Sequence, residues 1–120
     1  MEYIYAIDGD DIGEKIERAL FNNDLKKAAY ISSIIEDTLK ELNKEFIRLG
    51  AETIFLAGDS LLVRSNELLM LPNEMFQCGK MTFSMGIAHT PSNAVLALKK
   101  AKGLGKNRII NFLKDTDNEG

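Results

Sequence analysis

Apolar and polar positions along residues 3–8, YIYAID, alternate, and the run is rich in Ile and Tyr, which predicts a strand. Residues 12–22, IGEKIERALFN, fit a short amphipathic helix. Asn22, Asn23 and Asp24 interrupt it, and Asn23 or Asp24 can cap a second helix. That helix spans 25–49, with Leu25, Ala28, Ser32, Ile35, Leu39, Leu42, Phe46 and Leu49 as its inward stripe, and Gly50 stops it. Two apolar runs follow, 52–57 and 60–65, separated by Gly58-Asp59, a two-residue hairpin signal. Residues 66–77 read as a short helix broken at Pro72, and 81–88 as a strand. A helix over 93–103, capped by Ser92 or Asn93, and a last strand over 108–113 complete the pattern.

The order β-α-α-β-β-α-β-α-β returns helices between strands and sets a hairpin in the middle. It predicts an α/β (α+β) domain of the ferredoxin-like or palm type, with a mixed, mainly antiparallel sheet flanked by helices. One domain over 1–114 is expected, with 115–120, DTDNEG, as a disordered tail.

Composition narrows the function classes. The formal net charge of −3 gives no global basic surface for a nucleic acid polymer, though nucleotides need only a few local cations. One cysteine, Cys78, excludes a disulfide within the chain, and no Cys/His spacing points to zinc. No signal peptide is expected and no apolar run is long enough for a membrane, so a reduced, cytoplasmic setting is the expectation. His89 is the only histidine, so Ser-His-Asp or Cys-His chemistry would depend on that one residue.

The candidate chemistry lies where the first strand ends. Asp8, Asp10 and Asp11 crowd a strand end beside Gly9 and Gly13. In the predicted topology this end faces the hairpin tip, where Gly58, Asp59 and Ser60 stand. Carboxylates brought together repel and raise each other's pKa, and a divalent cation removes that penalty. Backbone N–H groups of Asp10, Asp11, Ile12 and Gly13 at a helix start offer an anion site for phosphates. Lys102 and Lys106, four apart, can reach one side as a phosphate clamp. Each feature alone has a plainer reading: a solvated turn, an ordinary hairpin, a lysine-rich helix end that complements the dipole. Their joint order on one topology favours a nucleotide site.

"YAIDGDDIG", "FLAGDSLLV", "FSMGIA" and "ALKKAKGLGKNRI", in that order, resemble the signature segments of GGDEF-type nucleotide cyclases. They are more similar to the palm domain of the polymerase subunit of type III CRISPR complexes, and a stand-alone palm of this length resembles the minimal CRISPR polymerases (mCpol). The resemblance spans residues 3–113. It implies metal-assisted synthesis of a cyclic di- or oligonucleotide from NTPs, in anti-phage signalling, with a separate effector reading the product. It implies a homodimer, since each palm holds one nucleotide and the hydroxyl of one attacks the α-phosphate of the other.

Carried over by residue, the resemblance makes Asp8, through its carboxylate, and Gly9, through its carbonyl, ligands of Mg²⁺ or Mn²⁺. Asp59, third in the "AGDS" that matches GGDEF, becomes the second acidic ligand. Lys102 and Lys106 would grip the triphosphate. Ser60 stands where the family carries a further acid, which brings the second metal into question and keeps alive a catalytically inactive palm that binds nucleotide and acts as a sensor. Eight positions after Asp8, where diguanylate cyclases read guanine with an Asn, stands Ile16. An apolar residue there favours ATP over GTP.

Overall fold

The computed structural model describes residues 1–113, and the expectation for 115–120 lies outside the described residues. The elements are β1 (Tyr3–Gly9), α1 (Ile12–Phe21), α2 (Leu25–Arg48), β2 (Glu52–Ala57), β3 (Ser60–Ser65), a single 3₁₀ turn (Asn73–Phe76), β4 (Gln77–Cys78), β5 (Met81–Ala88), α3 (Pro91–Gly103) and β6 (Ile109–Asn111). Strands run in the order β2-β3-β1-β5-β4, and β6 joins β5 in parallel while the other pairings are antiparallel. The sheet is therefore mixed and mainly antiparallel, as the pattern predicts.

β1 is the centre of this sheet, and alternation along it divides the core. Tyr5 and Ile7 join the larger cluster, with Ile35, Leu39, Leu42 and Phe46 of α2. Ile4 and Ala6 join a smaller one, with Ala94 of α3. Helices α2 and α3 thus cover opposite faces, and Asp8 follows Ile4 and Ala6 in the set that faces α3.

Gly86 of β5 permits the close approach of α3. A Cβ there would lie 2.2 Å from the Ala94 carbonyl oxygen and 2.3 Å from the Leu98 nitrogen. Both atoms are helix backbone, so nothing flexible can yield.

Four local expectations are corrected. The inward stripe of α2 is Ala28, Ile31, Ile35, Leu39, Leu42 and Phe46; Leu25 and Ser32 are exposed. Residues 66–77 hold no α-helix, because Pro72 leaves room only for the 3₁₀ turn before β4 begins. α3 starts at Pro91, with the Thr90 hydroxyl as cap, accepting the Asn93 N–H. The final strand is shorter than 108–113, since only Ile109–Asn111 pair with β5.

Candidate active site

The β2–β3 hairpin closes through Gly58, whose φ of 58° suits glycine, and Asp59, and the pair Ala57–Ser60 flanks them. β1 pairs with β3 so that Asp8 sits opposite Ser60. The Gly9 N–H donates to the Asp59 carbonyl at 2.9 Å, locking the strand end to the hairpin tip. Asp8 and Asp59 are thereby brought together. Burial pushes the Asp8 carboxyl up; the hydroxyl of Ser60, donating to it, works against this, and the charge of Asp59 adds to the rise.

Asp10 has a different environment. It is 4% exposed, and its two carboxylate oxygens receive two donors each. The Ser84 hydroxyl (2.8 Å) and the Lys102 ammonium (2.7 Å) donate to Oδ1. The Thr82 hydroxyl (2.6 Å) and the Asn107 N–H (2.8 Å) donate to Oδ2. Burial alone would raise its pKa, but the bonds from Lys102, Thr82, Ser84 and Asn107 outweigh it and hold the carboxyl below its ordinary value.

The backbone of this segment is divided in the same way. The Asp10 N–H donates to the Thr82 carbonyl at 2.9 Å. Asp10 therefore does not offer the free amide expected for a phosphate, because β5 has taken it. Asp11, with φ 58° and ψ 27°, then swings the chain into α1. Its carboxylate does not cap the helix but accepts from Lys106, which holds the Asp11 carboxyl down. Among the described residues the N–H groups of Asp11, Ile12 and Gly13 have no backbone acceptor beyond the helix.

Lys102 and Lys106 do converge on this segment, though not by helical spacing. α3 ends at Gly103, and Gly105, Lys106 and Asn107 all have positive φ. That turn returns Lys106 to Asp11 and delivers the Asn107 N–H to Asp10. Lys102 also donates to the Gly9 carbonyl at 2.8 Å. That oxygen, expected to face a metal, keeps one lone pair.

Asp59 and Gly58 border a cleft of about 630 Å³ between α1, α2 and the hairpin. Ile12, Gly13, Ile16 and Leu56 line it, with Ser32, Glu36 and Lys40 as its polar groups from α2. Glu36 and Lys40 form an ion pair along the α2 side of it at 2.9 Å. The sequence pattern missed these three; Ser32 in particular was counted in the apolar stripe, whereas it faces this opening. Their signal was a run of polar residues at positions 32, 36 and 40, one per turn of a helix.

The donor set suits a hard divalent cation: two carboxylates, one of them raised by burial and by its neighbour, and a backbone carbonyl. Among the described residues no group of three or more His, Cys, Asp or Glu side chains is placed to hold a metal. Water and substrate oxygens would have to complete the shell. His89 is remote from this chemistry: its ring meets Tyr3 at 5.1 Å, and Nδ1 contacts the Glu2 carbonyl at 2.8 Å. No described helix is long and apolar enough to cross a membrane.

The fold is shared with solved GGDEF domains. The GGDEF domain of DgcB from Caulobacter crescentus, in complex with c-di-GMP, is similar at a TM-score of 0.63 and 12% identity, over 92% of this chain and 77% of that one. The active GGEEF domain of a diguanylate cyclase from Vibrio cholerae gives 0.61 and 14%, over 92% and 82%. The GGDEF domain of TpbB (YfiN) from Pseudomonas aeruginosa gives 0.62 and 17%, over 92% and 76%. No curated protein is a significant match. The profile of the minimal CRISPR polymerase domain, mCpol, matches residues 4–112, nearly the whole described chain, and the chain belongs to the mCpol family.

Proposed function

We propose that this palm is a metal-dependent nucleotidyl cyclase that makes a cyclic di- or oligonucleotide from NTPs, with ATP favoured. The observation that carries the reading is the meeting of Asp8 and Asp59 at the end of β1, beside a cleft large enough for a nucleoside. Asp8 and Asp59, with the Gly9 carbonyl, would hold Mg²⁺ or Mn²⁺. When bound, the ion would lower the pKa of an attacking hydroxyl and neutralise phosphate charge.

The chain's own groups supply the rest. The amides of Asp11, Ile12 and Gly13 point phosphates to the start of α1. Lys106 can exchange Asp11 for a phosphate oxygen, whereas Lys102 holds the loop through Asp10 and Gly9. Ile16 lines the cleft and offers a guanine base no hydrogen bond. In the reaction a ribose hydroxyl oxygen bonds the α-phosphorus of a second NTP, the bond to the β-phosphate bridging oxygen breaks, and pyrophosphate leaves. The hydroxyl proton passes to solvent. Two palms facing each other would bring the two nucleotides together, so a homodimer is part of the reading. Its role would be anti-phage signalling, with the product read by a separate effector.

The bond from Ser60 to Asp8 favours one alternative. It occupies one carboxylate oxygen of Asp8 with a hydroxyl where the resemblance places a further acid, which suits an inactive palm that binds nucleotide and signals by changing partner. Incubating the protein with each NTP, singly and mixed, with Mg²⁺ or Mn²⁺, and identifying products by mass spectrometry decides between them. The cyclase reading requires a cyclic product that Asp59→Ala abolishes. Metal-dependent ATP binding without product would replace it with the sensor.

A further inference from the structure

A second groove, of about 610 Å³, runs along another face of α1, between α1, α2 and the turn joining β4 to β5. Lys15 and Arg18 of α1, Lys27 of α2 and Lys80 of the turn line it. Fourteen Lys and Arg residues are described; six are in ion pairs, and four of the remaining eight converge here. In a chain of net charge −3 this is a local concentration of positive charge without ion pairs among the described residues. One acid, Asp24, lines the groove, and its carboxylate accepts the Lys27 N–H at 3.0 Å as the cap of α2.

The groove is not only basic. Tyr30, 61% exposed, stands on it, and Ile31, Ile34 and Met81 supply apolar wall. Cations beside an aromatic ring and an apolar wall suit a ligand with a phosphate end and a flat end. We infer that this groove binds a nucleoside phosphate, with its phosphates on Lys15, Arg18, Lys27 and Lys80 and its base against Tyr30. The site uses neither Asp8 nor Asp59 and needs no metal, so it stands apart from the proposed cyclase chemistry. It nevertheless abuts that loop, because Lys15 also contributes to holding the Asp11 carboxyl down, behind the larger effect of Lys106.

The test is calorimetric titration of the full chain in EDTA with ATP, a cyclic dinucleotide and tripolyphosphate. The expected result is one nucleotide bound per chain without metal, retained in Asp59→Ala and weakened by added NaCl. Arg18→Gln combined with Lys80→Gln should weaken it by roughly tenfold or more per cation removed. Both positions are exposed, and an unchanged melting midpoint would show that the variant folds. Tyr30→Ala should weaken ATP but not tripolyphosphate. Whichever of ATP and the cyclic dinucleotide binds more tightly identifies the source of the ligand. No binding in EDTA, or binding indifferent to the double substitution, overturns the site. Equal loss of ATP and tripolyphosphate affinity on Tyr30→Ala, or none, overturns the assignment of a nucleoside. Loss of cyclic product in Asp59→Ala bears on the cyclase alone, so the two readings fail separately.

Discussion

Lys102 donates to Asp10 at 2.7 Å in the most buried of the ion pairs among the described residues, with side chains 24% and 4% exposed. Three further donors complete the Asp10 shell, so the charge is fully compensated inside the fold. Asp10 thus holds β1, β5, α3 and the turn after α3 in one arrangement, while Asp8 and Asp59 remain the acids without such a shell.

Removing the Asp10 carboxylate should therefore destabilise strongly. Asp10→Ala leaves Lys102, Thr82, Ser84 and the Asn107 N–H without their acceptor, and a loss of about 3–5 kcal/mol is expected. Asp59→Ala should do the opposite in metal-free buffer, because it relieves the raised Asp8. Urea denaturation of both variants checks the contrast.

Asp10 and Asp8 set the response to pH in opposite directions. The folded-state pKa of Asp10 is lowered, so its contribution is present above the unfolded value of about 3.9 and is lost as pH falls below it through the folded value. Asp8 is raised, so its ionisation costs stability, and that cost is relieved as pH falls through the raised value towards about 3.9. Stability should rise slightly on mild acidification and then fall. Asp8→Asn should remove the rise, and Asp10→Asn should reduce the fall, with Asp11 and Glu45 adding to the lower window. Denaturation midpoints between neutral pH and acid read both effects.

Mn²⁺ should raise the melting temperature of the wild type at neutral pH in the presence of ATP. Ligand at a hundred times its Kd adds about 2.7 kcal/mol. The gain should shrink on acidification, as Asp8 takes up a proton, and vanish in Asp8→Asn.

Gly86→Ala should loosen the seat of α3. Its methyl would meet the Ala94 and Leu98 backbone, and overpacking of this kind costs about 1–3 kcal/mol or more. Because α3 carries Lys102, the variant should also bind ATP less tightly, which titration measures.

Ile16→Asn would add an amide to the cleft wall. GTP use should rise relative to ATP by roughly tenfold, the worth of one good hydrogen bond, as read by competition between the two nucleotides.

Much of this architecture was legible in the chain. The alternation of β1, the Gly58-Asp59 turn and the helical repeat of α2 are local signals, and each led to the right element. The hairpin and the first strand together also placed Asp8 beside Asp59. What stayed hidden was the difference among three neighbouring aspartates. In the sequence they share a turn; in the fold Asp10 is separated from them by Thr82, Ser84, Lys102 and Asn107, which lie 72 to 97 residues away. The route by which Lys106 reaches this segment stayed hidden for a related reason. Its route to Asp11 depends on three consecutive residues of positive φ, two of them not glycine, and propensity does not announce that.

The distance along the chain between Asp10 and its donors has a consequence for assembly on the ribosome. β1 emerges first of the described strands, yet the charge at its end has no ammonium partner until α3 has followed. Closing so long a loop is slow relative to forming α2 or the hairpin. Until then the Asp10 carboxylate lacks the ammonium that compensates its burial, so the seat of the β1 end is completed only when α3 docks. The order of synthesis therefore brings the acid at the end of β1 and its lysine together only after 92 further residues have been added.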